Sequence, residues 1–353
     1  MTRVDPAWAA CPVPREETER VLLGHGSGGQ LSAALLREVI VPGLGPAAAG
    51  GGVEDAAVLA GGAGDLVLST DAFVVQPRFF PGGDIGSLAV HGTVNDVAMM
   101  GGEPFALSLA FIVEEGLPVA ELRAVAASAG RAAAAAGVPV VTGDTKVVGR
   151  GAADGLFVTT TGLGRRLPGA RLSATRVRPG DQVLLSGPIG RHGVTVLSAR
   201  EGLEFDAATA SDSQPLHRLV RAMLAAGADG VHALRDPTRG GLASALTEIA
   251  EASGVGVELV EAAVPVPAPV AAACELLGLD PLQVANEGCL VAFVAPAAAP
   301  AVLAAMRARP EGAGAVRIGE ATGERPGRVT ARTLVGARRT VDMLVGEQLP
   351  RIC

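Results

Sequence analysis

The sequence predicts a two-domain chain of α/β or α+β type that ends in a short tail with little to fold around. Three observations carry this. The 353 residues are 49% hydrophobic and only 18% charged, enough apolar material for two cores. Strand-like apolar runs alternate with helical stretches, punctuated by 48 glycines. Residues 165–180 are rich in Arg, Pro and Gly and lack periodic hydrophobics, which marks a boundary. The expected units are a loose segment at 1–20, a first domain at 21–165, a second at 175–345 and a tail at 346–353.

In chain order, a glycine-rich loop opens a helix at 29–40 and a short aliphatic strand follows at 65–70. Pro81-Gly82-Gly83 leads into a helix at 85–100 with Asp84 at its start. An apolar strand at 105–113 precedes an Ala-rich helix at 118–136, and strands follow at 139–142 and 156–164. Beyond the boundary the pattern predicts strands at 182–186, 255–260, 289–294 and 316–320. Helices are expected at 214–226, 240–252, 267–277 and 300–308, although alanine richness blurs their period.

Composition excludes several functions. A net charge of −7 with no Lys/Arg block argues against nucleic-acid binding. Cys11, Cys274, Cys289 and Cys353 show neither metal-ligand spacing nor the density of a disulfide scaffold, so reduced thiols in a cytosol are expected. The first twenty residues lack the apolar core of a signal peptide. The uncharged run at 289–306 is divided by Pro296 and Pro300 into a strand and a helix, so it is not read as a membrane span.

Two residues stand out. Cys353 is the last residue of GEQLPRIC, a leash of eight residues that can extend about 26 Å and carry a soft nucleophile to a site. An incidental terminal cysteine is the alternative. Lys146 is the single lysine beside 28 arginines, in Gly143-Asp144-Thr145-Lys146, and a compact ammonium suits phosphate contact and proton transfer.

Gly26, Ser27, Gly28 and Gly29 lie in GHGSGG ahead of a helix, either an anion-binding loop or an ordinary turn. Asp55, Asp71, Asp96 and Asp144 each fall near an element end. Singly they read as turn or cap residues, and together as the dispersed carboxylates of a Mg²⁺–nucleotide site. His91 and Asn95 share a helix face between Asp84 and Asp96. Asp236-Pro237-Thr238-Arg239-Gly240-Gly241 forms a second anion-ready turn before a helix. Glu287 in Asn286-Glu287-Gly288 is either a loop acid or a general base.

Taken in order, GHGSGG, EDAA, FPGGDIGSLAVHGTVNDVAM, GDTKVV, DPTRGG, ANEG and the terminal PRIC resemble the HypE family of hydrogenase-maturation proteins. That family belongs to the superfamily of aminoimidazole ribonucleotide synthetase and selenophosphate synthetase. The resemblance spans about residues 22–353. It implies a two-domain PurM-like fold, a homodimer formed through the first sheet, and ATP with Mg²⁺ in the cleft. The implied reaction is ATP-dependent dehydration of a carbamoyl group on Cys353 to a thiocyanate. The partner carbamoyltransferase HypF would supply the carbamoyl group, and a HypC–HypD complex would receive cyanide for the NiFe-hydrogenase iron.

By resemblance Asp55, Asp71, Asp96 and Asp144 hold the metal. Gly26–Gly29, Asp84, Asn95, Thr145, Asp236, Thr238, Gly240 and Gly241 bind nucleotide, while Lys146, Glu287 and His91 act on the carboxamide. Many relatives carry Asp-Asp where this chain has Glu54-Asp55, so metal binding is carried onto Asp55 alone. Two alternatives remain: another ATP-dependent enzyme of the superfamily, and a nucleotide-gated metallochaperone or scaffold. The terminal thiol disfavours the first and the lack of a His/Cys cluster the second.

Overall fold

The computed structural model describes residues 29–35, 37–38, 56–59, 64–203, 209–333, 335–344, 349 and 352–353. The expectations on Gly26, Ser27, Gly28, Glu54 and Asp55 lie outside the described residues.

After helix α1 (Gln30–Leu35), the first layer comprises β1 (Ala57–Leu59), β2 (Leu66–Phe73), the hairpin β3 (Phe79–Phe80) and β4 (Gly83–Asp84), and helix α2 (Ile85–Met99). It continues through β5 (Gly102–Glu114), α3 (Val119–Ala136), β6 (Val140–Val148) and β7 (Leu156–Arg166). The main sheet runs β1-β2-β7-β5-β6, with β5 and β6 parallel. Strand β7 buries every second residue from Leu156 to Gly164, the period of a strand with one covered face. Helix α2 lies close on that face because Gly162 has no side chain: a Cβ there would stand 2.7 Å from Thr93 Cγ2.

Asp84 starts α2 with a full capping box, accepting from Gly86 N and Ser87 N while the Ser87 hydroxyl accepts from Asp84 N. The helix is buried almost all round, as expected for one enclosed between a sheet, α3 and a second domain. Its end carries Ala98 and Met99 into a core shared with Leu219 and Met223. The uncovered part of the sheet ends at β6, where eight of nine residues are exposed.

The second layer contains β8 (Gln182–Leu185), α4 (Arg191–Glu201), α5 (His217–Gly227), β9 (Val231–Arg235), α6 (Gly241–Ser253), β10 (Gly256–Val260) and α7 (Ala268–Leu277). It closes with β11 (Val291–Val294), α8 (Ala299–Arg307), β12 (Val316–Thr322), β13 (Val329–Arg332) and β14 (Arg338–Val341). The sheet order is β14-β13-β10-β12-β8-β11-β9, and only β10–β13 is parallel. Cores lie on both faces: Leu185, Phe293 and Leu246 on one, Leu184, Val294 and Met223 on the other. Strands β9 and β11 are therefore buried along their whole length.

Both sheets are mixed and largely antiparallel, the α+β form of the predicted class. The strand expected at 139–142 runs on to Val148, because parallel pairing with β5 continues through Asp144 and Lys146. Helix α4 was not anticipated: RHGVTVLSARE contains glycine and β-branched residues that obscure helical periodicity. Strand β9 was also missed, since VHALR buries a histidine and an arginine in the sheet. Strands β1, β13 and β14 are only three or four residues long, too short to show a period, and β1 and β14 lie at sheet edges. Among the described residues no helix is long and apolar enough to cross a membrane.

Candidate active site

A cavity of about 240 Å³ opens between the two layers, and Cys353 forms part of its wall. The first layer contributes Asp71 and Phe73 from the end of β2, with Gly92 and Asp96 from α2. Gly92 and Asp96 are four residues apart and so share a helix face. A Cβ on Gly92 would come within 3.0 Å of the Phe73 ring, so glycine keeps this wall open. The Ser69 hydroxyl donates to Asp96 Oδ2 at 2.6 Å.

The opposite wall is the turn from β9 into α6, where Arg235, Asp236, Thr238, Arg239 and Gly241 line the space. Gly240 and Gly241 have φ of 82° and 63°, values in the left-handed region that glycine adopts without strain. Glu287 projects from the loop before β11. That loop is fixed by Asn286, whose Oδ1 accepts from Gly190 N at 2.6 Å and whose Nδ2 donates to Pro237 O at 2.8 Å. The Asp212 carboxylate accepts from Glu287 N and Gly288 N, the latter at 3.0 Å.

The described end of the tail is lodged inside. Ile352 and Cys353 are buried, and Arg239 Nη2 donates to Cys353 Sγ at 3.0 Å. Val74 N donates to a terminal oxygen of Cys353 at 3.3 Å, and His192 bonds to the Ile352 carbonyl at 2.8 Å. Leu349 packs beside Val194 and Val284.

Burial dominates the electrostatics. It pushes the Cys353 thiol up to about 11, against the nearby Arg239 guanidinium. Burial, with Asp236, Asp71 and Asp212 close by, raises the Glu287 carboxyl well above the usual carboxylate range, while Arg239 opposes this. Asp71 is raised by burial and partly restored by the Ala72 amide and Arg239. Among the described residues the buried Glu287 Oε1 has no hydrogen-bond partner.

Of the residues named from sequence, Cys353, Glu287, Asp71, Asp96, Asp236, Thr238 and Gly241 converge here, with Gly240 capping α6 beside them. Others do not. Asp84 is occupied as the α2 cap and also accepts from the Ser128 hydroxyl, so both its oxygens are engaged within the first layer. Asn95 is a buried strut: Nδ2 donates to Gln214 O at 3.1 Å and Oδ1 accepts from Leu216 N at 2.7 Å. His91 is bonded to Ser213 Oγ at 2.9 Å, and burial lowers its pKa to about 4. It holds the layers together as a neutral ring and is not among the residues lining the cavity.

Asp144, Thr145 and Lys146 stand on exposed β6, outside this cavity. There the Lys146 ammonium bonds Asp144 at 2.8 Å and, with the Thr145 amide, holds its carboxyl below the usual range. Gly29 is buried at the start of α1. Sequence reasoning placed Arg239 in the DPTRGG turn without giving it a role of its own, and it missed His192, which lies in an unrecognised helix. It also missed Phe73, Arg235, Ser244 and Glu248, ordinary residue types until the fold gathers them.

Two family models match the chain, the AIR synthase related protein N-terminal domain over residues 53–166 and its C-terminal domain over 178–332. The carbamoyl dehydratase HypE of Cupriavidus necator is 54% identical, with 95% of each chain covered. The solved structure of a HypE–HypF complex is 44% identical with a TM-score of 0.83, covering 88% of this chain and 100% of that one. A HypE solved in complex with ATP is 47% identical with a TM-score of 0.79, covering 95% and 100%. A cavity walled in part by the chain's own terminal thiol, on this fold and at these identities, has one interpretation: the chain belongs to the HypE family of carbamoyl dehydratases.

Proposed function

We propose that this chain dehydrates a carbamoyl group carried on Cys353, converting the thiocarbamate –S–C(=O)NH₂ to the thiocyanate –S–C≡N at the expense of one ATP. The observation that carries this reading is the burial of the terminal sulfur beside Arg239 in a cavity that also holds Glu287. ATP, when bound, supplies the phosphoryl group that makes the amide oxygen a leaving group. Two carboxylates, Asp71 and Asp96, share one wall, a hard-oxygen set that fits Mg²⁺, which takes few carboxylates and completes its shell with phosphate and water. The Asp236–Gly241 turn faces them across the space and suits the phosphates.

Within the chain, Arg239 positions the sulfur. Glu287 is the base: the carboxamide brings N–H donors to the unpartnered Oε1, and these favour its ionised form where the unloaded cavity does not. Of the two N–H protons lost as the amide oxygen departs with phosphate, Glu287 takes one and the departing phosphate carries the other, and the nitrile remains.

A second copy completes the site on this reading. The exposed β6 edge, with Val141 64% and Val147 71% exposed, is the face through which a homodimer forms. Its packing would carry Asp144, Thr145 and Lys146 toward the neighbouring chain's nucleotide. The reading extends to exchange with a HypF-type carbamoyltransferase, delivery to a HypC–HypD acceptor and residence in the cytoplasm, and membership of the family supports it. Infrared spectroscopy tests the chemistry: chain loaded from carbon-13 carbamoyl phosphate should gain an isotope-shifted nitrile band only with ATP. A band absent with ATP, or present without it, contradicts the proposal.

A further inference from the structure

Cys353 is held by its side chain at Arg239, but the tail is also held by its backbone, at a place the chemistry above does not use. His192 lies in the first turn of α4 and is fully buried, with its ring edge-on to Phe80 at 5.4 Å and 88°. Both ring nitrogens are engaged: Nε2 with the Ile352 carbonyl at 2.8 Å, Nδ1 with Ser211 Oγ at 2.8 Å. A carbonyl only accepts, so Nε2 carries the proton. Nδ1 of the neutral ring must then accept from the Ser211 hydroxyl. That hydroxyl in turn accepts from Ser213 N at 3.1 Å, which leaves its proton directed at His192.

The anchor is tied to both layers. Ser211 N donates to Pro81 O at 2.9 Å, and Gly82 lies so close that a Cβ would stand 2.9 Å from Ser211 N. On the other side, Gly193 N donates to Ala285 O at 3.0 Å and Gly190 N to Asn286 Oδ1. The residues that suspend Glu287 therefore also fix the helix turn bearing His192. Burial keeps the ring neutral, with Asp212 the charged group that opposes this. Because the contact is to the penultimate carbonyl, it does not depend on what the sulfur carries.

We infer that His192, held in a single tautomer by Ser211, is the positioning residue that docks the C-terminus in the cleft and registers Cys353 against Glu287, whether the thiol is free, carbamoylated or cyanated. The catalytic half of this inference rests on the proposed dehydration, whereas the docking half does not. Two measurements on the full-length chain separate them. One is the rate at which iodoacetamide alkylates Cys353 in the unloaded protein, followed on the C-terminal peptide. The other is the single-turnover rate of ATP-dependent water loss in chains first brought to full carbamoyl occupancy.

His192→Ala should speed alkylation roughly 10-fold and slow water loss by a similar factor, the loss expected for one buried hydrogen bond. Ser211→Ala, which leaves the imidazole in place but frees its tautomer, should move both rates the same way by less, and His192→Gln, which keeps a donor, should recover part of each. Faster alkylation with slower water loss supports the inference. Unchanged alkylation overturns it even where water loss slows, since the residue would then be merely structural, and faster alkylation at the wild-type dehydration rate overturns it too. If wild type itself loses no water, the dehydration reading fails, while the alkylation series still decides the docking role.

Discussion

Replacing Glu287 by Gln tests base and burial together. Wild-type Glu287 is 3% exposed, has no partner for Oε1 among the described residues and lies close to Asp236, Asp71 and Asp212. Its pKa is raised in the folded chain above the ordinary 4.5, so in that window the folded state binds more protons than the unfolded state. The stability tied to this group is therefore present at low pH and is lost as pH climbs through the window toward the raised value. Each unit of the window removes up to about 1.4 kcal/mol. Even a single unit is a sizeable share of the roughly 5–15 kcal/mol typical of a domain.

Glu287→Gln preserves shape and removes the titration. Denaturant unfolding of both proteins between about pH 5 and pH 8 should show the variant gaining stability relative to wild type as pH rises. The same variant cannot accept a proton, so single-turnover water loss should fall about 10²–10⁴-fold. Parallel stability curves would refute the buried, protonated glutamate. Retained dehydration would refute its role as base.

Asp84→Ala should cost about 1–2 kcal/mol of stability, the value of a helix cap, with little change in ATP affinity by calorimetry. A collapse of ATP binding would restore Asp84 to the nucleotide site. Cys353→Ser should accept no carbamoyl group, by intact mass, while still binding ATP; loss of both would make the tail structural. Lys146→Arg should retain charge but slow dehydration. If β6 packs across a dimer, mixing Lys146→Ala with Glu287→Gln chains should regain activity that neither has alone, and a mixture as inactive as its components contradicts that arrangement. Val141→Arg should lower the oligomer mass seen by light scattering, and an unchanged mass would place the interface elsewhere.

Much of the fold could be read directly because its long elements obey simple periods. Strand β7 alternates cleanly, and α2 is marked by Pro-Gly-Gly-Asp before an apolar stretch. The site was legible where chemistry is local to a motif, as in DPTRGG, ANEG and the terminal cysteine. It failed where a residue's role depends on which neighbour the fold supplies. Asp84 and Asp96 lie on one helix and look alike in sequence, yet one caps its own backbone while the other faces a cavity. His91 and His192 differ in the same way: the first bonds a serine between layers, and the second meets a carbonyl 160 residues away. No periodicity announces a contact of that span.

The most direct test is an intact-mass time course of the full chain with a HypF-type carbamoyltransferase, carbamoyl phosphate and ATP. Mass should rise by one carbamoyl group and then fall by one water, with both changes confined to the peptide ending in Cys353 and the fall requiring ATP. A carbamoyl group that persists while ATP is consumed, or that resides on another residue, would contradict the account.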